Sequence, residues 1–228
     1  MNDVLGRAIF DYHHQNKPGQ LWIHNQYGPK EEMPLDIFFR PKDDMSDIEL
    51  LALDHCRGKV LDIGAGAGSH SLLLQQGGTD VTAIDISPLA VQVMQARGVK
   101  KVYEANIFTY HPRKFDTLLL LMNGIGLAGT LHGLKQLLMH LRLLLNDGGQ
   151  VLFDSSDVAY VYEEIGLPAN NYYGEIPYQY QYKTLTTDWF SWLYIDKNTL
   201  HDIAVQVGFK LQILAEDEYG QYLARLIV

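Results

Sequence analysis

The chain has 228 residues, 47% of them hydrophobic, with 18 Lys and Arg against 27 Asp and Glu and a formal charge of -9. That length closes one good core with additions, and the acidic balance repels phosphate backbones and acidic membrane surfaces, so nucleic acid is excluded as an expected partner. The single cysteine, Cys56, excludes an intramolecular disulfide and a cysteine-rich metal framework, and the start MNDVLGRAIFDYHH has neither the basic head nor the apolar core of a secretory signal.

In chain order, strands are predicted at Lys59 to Ile63, Asp80 to Ile84, Lys100 to Glu104, Thr117 to Leu121 and Gln150 to Asp154. Helices are predicted between them at Ser69 to Gln76, Pro88 to Arg97 and Thr130 to Leu145, so the centre of the chain reads as repeated βαβ units and implies a parallel sheet. Ser87 before Pro88 is an N-cap with proline at the first helical position. Asn146-Asp147-Gly148-Gly149 is read as a stop and turn before the next strand. The apolar runs at Leu118 to Met122 and Leu134 to Leu145 are too short or too interrupted to span a bilayer, and a cytoplasmic protein is expected.

The regularity breaks at Tyr172 to Ile195. There Tyr178, Tyr180 and Tyr182 alternate as in an antiparallel strand, expected to pair with Phe190 to Ile195 and to use the tyrosines as a packed face. A helix capped by Asp196 or Asn198 runs to Val207 and stops at Gly208. The last strands, Lys210 to Leu214 and Gln221 to Ile227, are joined by a connection of hairpin length, so the sheet ends antiparallel.

The densest motif is VLDIGAGAGSH, Val60 to His70, a strand, a glycine turn and a helix start. A dinucleotide fingerprint G-x-G-x-x-G needs a third glycine where Ser69 stands, which counts against a nicotinamide-dependent oxidoreductase. Asp62, Gly64, Gly66 and Gly68 instead place an acid two residues before a Gly-x-Gly-x-Gly turn. Gly64 and Gly66, with Ala65 between them, let a ligand come close to backbone where a Cβ would collide.

This pattern resembles motif I of the class I S-adenosylmethionine-dependent methyltransferases, and the resemblance continues in order along residues 55 to 158. It implies a Rossmann-like α/β fold, a mostly parallel seven-stranded sheet with an antiparallel last strand, and S-adenosylmethionine as cofactor. Asp85, in VTAIDISP, falls where the family places the carboxylate that accepts hydrogen bonds from both ribose hydroxyls. Asn106 and Ile107 fall where the family meets the adenine, with Asn106 in place of the more frequent aspartate, and Ile86 faces the other side of the ring. Asp62 either orients the loop or receives the ligand ammonium. FDTLLLLMNGIG matches the fourth motif and brings Asn123 to the site, and LNDGGQVLFDSSD matches the fifth strand. Met122-Asn123-Gly124-Ile125 lacks the Asn-Pro-Pro-aromatic pattern of family members that methylate amide or base amino groups.

The expected function is therefore methyl transfer to a small molecule, with no nucleic acid or membrane partner. A non-catalytic S-adenosylmethionine-binding module is the alternative. Tyr12, His13, Asp154, Tyr173, Glu175 and Trp192 are candidates for the acceptor pocket, no residue is assigned as catalytic, and the histidines show no metal-ligand spacing. Residues 1–54 are read as an N-terminal segment covering the cleft and 55–228 as the methyltransferase domain, with the Tyr-rich hairpin inserted at about 172–195.

Overall fold

Strands that helices cover on both faces bury every side chain, and Lys59–Ile63 and Phe115–Leu120 show that pattern, with four of five and five of six residues buried. The computed structural model describes residues 3–111, 113–164 and 166–228. The N-terminal half contains α1 (Val4–His13), β1 (Leu21–Asn25), β2 (Glu31–Met33), α2 (Asp47–His55), β3 (Lys59–Ile63), α3 (Ser69–Gln76), β4 (Asp80–Asp85), α4 (Pro88–Ala96) and β5 (Val102–Glu104). The C-terminal half adds β6 (Phe115–Leu120), α5 (Leu131–Leu143), β7 (Leu145–Ser156), β8 (Glu175–Tyr182), β9 (Leu185–Thr186), β10 (Phe190–Leu193), α6 (Lys197–Gln206), β11 (Lys210–Glu216) and β12 (Gln221–Ile227). A seven-stranded sheet has the order β11-β12-β7-β6-β3-β4-β5. The β4–β5 and β6–β7 pairs are parallel, whereas β12 runs against both β7 and β11, as the short last connection requires.

The chain divides into two compact units. The first holds the residues up to Met45, Leu61–Tyr110 and Pro177–Phe190. Asp3 caps α1 by accepting from the Gly6 amide at 3.0 Å. The apolar side of α1 (Val4, Ala8) buries against Leu21 of β1, Leu35 and Tyr182, while Ile9 packs with Ala67 and Val93. Asp11, on the same helix, accepts from Lys183 at 2.7 Å and from the Tyr182 hydroxyl at 3.2 Å, and Arg7 approaches its other oxygen at 3.1 Å.

The Tyr-rich strand has a partner beyond the expected one. A second sheet has the order β10-β8-β1-β2, with β9 on β8, so β8 lies between the expected Phe190 strand and the N-terminal strand β1. Leu21 pairs with Tyr182, Ile23 with Tyr180 and Asn25 with Tyr178, which places those tyrosines with Leu21 and Ile23 on one face. β2 is an edge strand carrying Glu31 and Glu32 and followed by Pro34, residues that oppose further strand addition.

The second unit holds Ser46–Val60, His111–Ile176 and Ser191–Val228. Ser46 and Glu49 form a capping box at the start of α2. Leu134, Leu137, Leu138 and Leu141 repeat at helical spacing on α5 and are all fully buried, each worth about 1.5 to 3 kcal/mol of burial. The predicted turn at Asn146 to Gly149 is corrected: β7 already starts at Leu145 and takes these residues in. Phe115 pairs with Leu145, and the ladder then resumes at Thr117 with Gln150. The irregularity between the two pairs absorbs the extra residues, with Gly148 at φ +72°.

Candidate active site

The glycine loop joins β3 to α3. Gly64, Gly66 and Gly68 have φ of +69°, +57° and +81°, a region that costs other residues roughly 1 to 2 kcal/mol each. Their surroundings differ. A Cβ at Gly68 would stand 2.9 Å from Met94 Cγ and 3.0 Å from Val99 Cγ2, so this glycine serves the packing of α3 on α4. At Gly64 a Cβ would meet nothing within 4 Å, and at Gly66 its nearest neighbour is Phe38 Cδ1 at 3.5 Å. These two positions therefore line a cradle that a side chain would fill and a ligand can enter.

The loop is held to β4 by its own amides. Gly64 and Ala65 both donate to the Ile84 carbonyl, at 2.9 and 3.1 Å, and Gly66 donates to Asp85 Oδ2 at 2.9 Å. The other oxygen of Asp85 accepts the Ser87 amide at 2.9 Å. Each carboxylate oxygen keeps a further lone pair, so Asp85 offers two adjacent acceptors, the arrangement a vicinal diol needs. Burial pushes its carboxyl up to about 6, the amides of Ser87 and Gly66 pull it down, and Asp3 and Asp62 push it up again. Asp3 reaches this neighbourhood by accepting the Ser87 hydroxyl at 2.7 Å.

Asp62 lies below the loop at 2% exposure, with Oδ2 accepting the Ser71 hydroxyl at 2.6 Å. Burial raises its pKa, against the opposing pull of His70 and Ser71. Its observed contact thus ties the end of β3 to the first turn of α3. Asn106 is brought beside the end of β4, because the Ala105 amide bonds the Asp85 carbonyl at 2.9 Å. Its Oδ1 accepts the Phe108 amide at 3.0 Å and caps a short turn. Ile86 is 68% exposed, an apolar plate next to the Asp85 carboxylate, whereas Ile107 is buried at 6%.

Sequence reasoning missed the wall beside the cradle, a five-residue 3-10 helix at Leu35–Phe39. The Phe38 carbonyl accepts the Ser69 hydroxyl at 2.7 Å. Arg97 donates to the Ala67 carbonyl at 2.7 Å and to Ser69 Oγ at 3.1 Å, and its guanidinium lies 4.9 Å from the centre of the Phe39 ring. Tyr12 packs on Phe39 with ring centres 4.9 Å apart, and the half-buried His13 stacks on the same ring at 6.1 Å. Burial lowers the pKa of His13, with His14 and Arg97 adding to the effect. The Leu-Asp-Ile-Phe-Phe pattern between two prolines has no helical or strand periodicity, so only its neighbours reveal its place.

The remaining candidates belong to the second unit. Asn123 follows β6 at φ +52°, next to Met122 at φ +59°, two successive left-handed residues outside glycine. Hydrogen bonds hold this strained corner. The Asn123 amide donates to Asp154 Oδ2 at 2.9 Å, its side chain donates to the Leu193 carbonyl at 3.1 Å, and it accepts the Ser155 hydroxyl at 2.9 Å. Asp154 is 1% exposed, also accepts from Gln221 at 2.8 Å, and keeps Oδ1 without a hydrogen-bond partner. Burial raises its pKa, against the bonds from Asn123 and Gln221. Tyr173 donates to Asp157 at 2.8 Å, Glu175 accepts the Leu131 amide at 2.8 Å and so caps α5, and the Trp192 indole lies against Gly126. Among the described residues no group of His, Cys, Asp and Glu is placed to hold a metal ion, and no helix is long and apolar enough to cross a membrane.

A mostly parallel sheet with one reversed strand and an open glycine cradle backed by an aspartate that offers two adjacent acceptor oxygens define a Rossmann-like nucleotide-binding fold. The family described as Methyltransferase domain matches residues 38–212. A SAM-dependent methyltransferase from Bacteroides fragilis, crystallised with S-adenosyl-L-homocysteine, is 40% identical over 99% of this chain and 94% of its own, with a TM-score of 0.92. The chain belongs to the S-adenosylmethionine-dependent methyltransferases. The fold alone is shared with a SAM-dependent methyltransferase from Clostridium acetobutylicum, 14% identical over 82% of this chain and 94% of that one, TM-score 0.60. It is also shared with an amino pentose methyltransferase from Micromonospora echinaspora, 12% identical over 81% and 92%, TM-score 0.58.

Proposed function

We propose that this methyltransferase acts on a small-molecule acceptor in the cytoplasm, with Gly64, Gly66, Asp85, Ile86 and Asn106 forming its cofactor cradle. The observation that carries the small-molecule reading is the charge of -9, which disfavours a polyanionic acceptor. Matching folds used on small molecules, such as the Micromonospora echinaspora amino pentose enzyme, agree with it.

S-adenosylmethionine supplies an activated methyl group for in-line transfer, so the protein's part is mainly positioning. Asp85 takes the ribose hydroxyls on its two free lone pairs. Ile86 supports the adenine, and Asn106 stands beside it with an amide donor and an acceptor. Gly64 and Gly66 leave room for the amino-acid arm. The engaged amides of Gly64, Ala65 and Gly66 keep the loop rigid before ligand arrives, which lowers the ordering cost of binding.

The test is a screen for transfer of the label from methyl-labelled S-adenosylmethionine to a metabolite library, run beside DNA, RNA and mixed protein as acceptors. Label in a small molecule is the expected result. Label found only in a macromolecule would overturn the reading.

A further inference from the structure

Within the first unit lies an open pocket of about 430 Å³, a volume inside the roughly 300 to 1,000 Å³ typical of small-molecule sites. The Tyr12 ring and Met33 give it an accessible apolar wall backed by the buried Leu21 and Leu35, and Gln20 and Glu32 also line it. Among the described residues lining it, Glu32 is the single charge. One Glu32 oxygen accepts Gln20 Nε2 at 3.0 Å, which leaves the other available, and the Tyr12 hydroxyl has no hydrogen-bond partner among the described residues. Lys183, whose stem passes beside Gly19 of the rim, is paired with Asp11 at 2.7 Å, so it does not cancel the negative rim.

The pocket is linked to the cofactor cradle. Leu35 lines it at one end of the five-residue 3-10 helix, and Phe38, near the other end, meets Gly66. Such a helix spans only roughly 8 Å. Tyr12 reinforces the link by packing on Phe39 at 4.9 Å.

The geometry points to a binding site for a small organic amine, held as its ammonium by Glu32 and the Tyr12 oxygen with its apolar part against Met33 and the Tyr12 ring. Resting on the small-molecule reading, the inference makes this amine the methyl acceptor. An ammonium has no lone pair, so the bound amine first releases one proton to solvent. Its lone pair then forms the nitrogen–carbon bond while the donor's carbon–sulfur bond breaks, the electron pair staying on sulfur. The acidic lining, with Glu32 its one charge among the described residues and the nearby Lys183 paired with Asp11, favours the ammonium over a carboxylate of equal size, and charge-assisted hydrogen bonds make the difference over a neutral alcohol.

The experiment uses the full chain with S-adenosylhomocysteine bound, titrated calorimetrically with phenethylamine, phenethyl alcohol and phenylacetate. The amine is expected to bind about tenfold more tightly than the alcohol, with phenylacetate weakest. Glu32→Gln, an exposed position, should bring amine and alcohol to the same affinity. Met33→Trp, which fills the pocket, should weaken amine binding about tenfold, with S-adenosylhomocysteine affinity kept within about twofold as the control for folding. Equal binding of amine and alcohol to the unsubstituted protein, no amine binding, or amine binding indifferent to both substitutions overturns the site. Amine binding in this pocket without methylation of any amine in the library leaves the site standing and overturns its assignment to the acceptor.

Discussion

Asp85 Oδ2 accepts the Gly66 amide at 2.9 Å, so the acid that ends β4 and the middle glycine of the β3–α3 loop form one rigid piece. Replacing Asp85 by Ala removes the proposed ribose acceptor and releases both the Gly66 and the Ser87 amides. S-adenosylhomocysteine affinity is expected to fall at least about tenfold, since each charge-assisted bond is worth roughly 1.5 to 3 kcal/mol. Unchanged calorimetric affinity in a folded variant would remove Asp85 from the site.

The same carboxyl predicts a pH dependence. Burial holds its folded-state pKa at about 6, above the ordinary 3.8, so the folded protein takes up this proton before the unfolded chain does. Asp85 alone therefore makes the fold less stable as pH rises through that window. Binding runs the other way if Asp85 holds the ribose as proposed, because a diol needs the ionised acceptor. Affinity for S-adenosylhomocysteine should fall by up to about tenfold per pH unit once pH drops below about 6, while Asp85→Asn shows a flat profile. A flat profile in the unsubstituted protein would contradict this.

The glycines of the loop should separate into two kinds. Gly64→Ala meets open space and carries only the left-handed strain, roughly 1 to 2 kcal/mol, but its methyl group enters the cradle. It is expected to lose ligand affinity with a modest change in melting temperature. Gly68→Ala adds a collision with Met94 and Val99 to the same strain, an overpacking cost of about 1 to 3 kcal/mol, and should lose more stability. Thermal melts paired with calorimetry on the two variants check the order.

Asp154 behaves as a buried acid with one satisfied and one unsatisfied oxygen. Asp154→Ala orphans the Asn123 amide at a strained corner and is expected to cost about 1 to 3 kcal/mol or more. Asp154→Asn keeps an acceptor and removes the desolvated charge, so it should be nearly neutral above the acid range. Because the folded pKa is raised, the native protein gains stability relative to Asp154→Asn as pH falls toward the unfolded value. Denaturant melts across pH settle the sign, and a difference that grows with rising acidity in favour of Asn would be the wrong one.

Tyr182 is fully buried, and its hydroxyl accepts the Gly19 amide at 3.1 Å while donating to Asp11 at 3.2 Å. Tyr182→Phe keeps the ring and removes both bonds. A loss of about 1 to 3 kcal/mol is expected, about 2 to 4 °C of melting temperature per kcal/mol in a chain of this size. A melt within error of the unsubstituted protein would show that these bonds carry no net stability.

Much of the architecture was legible because it rests on local rules. The β3-loop-α3 corner is written in three glycines whose backbone only glycine adopts cheaply, Ser87-Pro88 starts α4 as read, and Asp196 caps α6 through the amides of Asn198 and Thr199. The antiparallel ending followed from a connection too short for a crossover. The capping box of Ser46 and Glu49 was equally local, and its signature stood in the sequence unread.

What the sequence determined by itself is therefore the set of segments whose conformation depends on near neighbours, together with the order of motifs that marks the cofactor. Tertiary structure alone decided the rest. β1 becomes a strand by pairing Leu21 with Tyr182, and Phe38 becomes part of the cradle wall because Ser69, thirty-one positions away, donates to its carbonyl. Nothing local in the sequence marks Asp11, and Asp154 reads only as a candidate for the acceptor pocket, until burial and distant donors give each a different pKa, lowered for Asp11, where Lys183 and Arg7 outweigh desolvation, and raised for Asp154. Long-range contacts fix a residue's dielectric surroundings and its partners, and neither quantity is encoded in the few residues on either side of it.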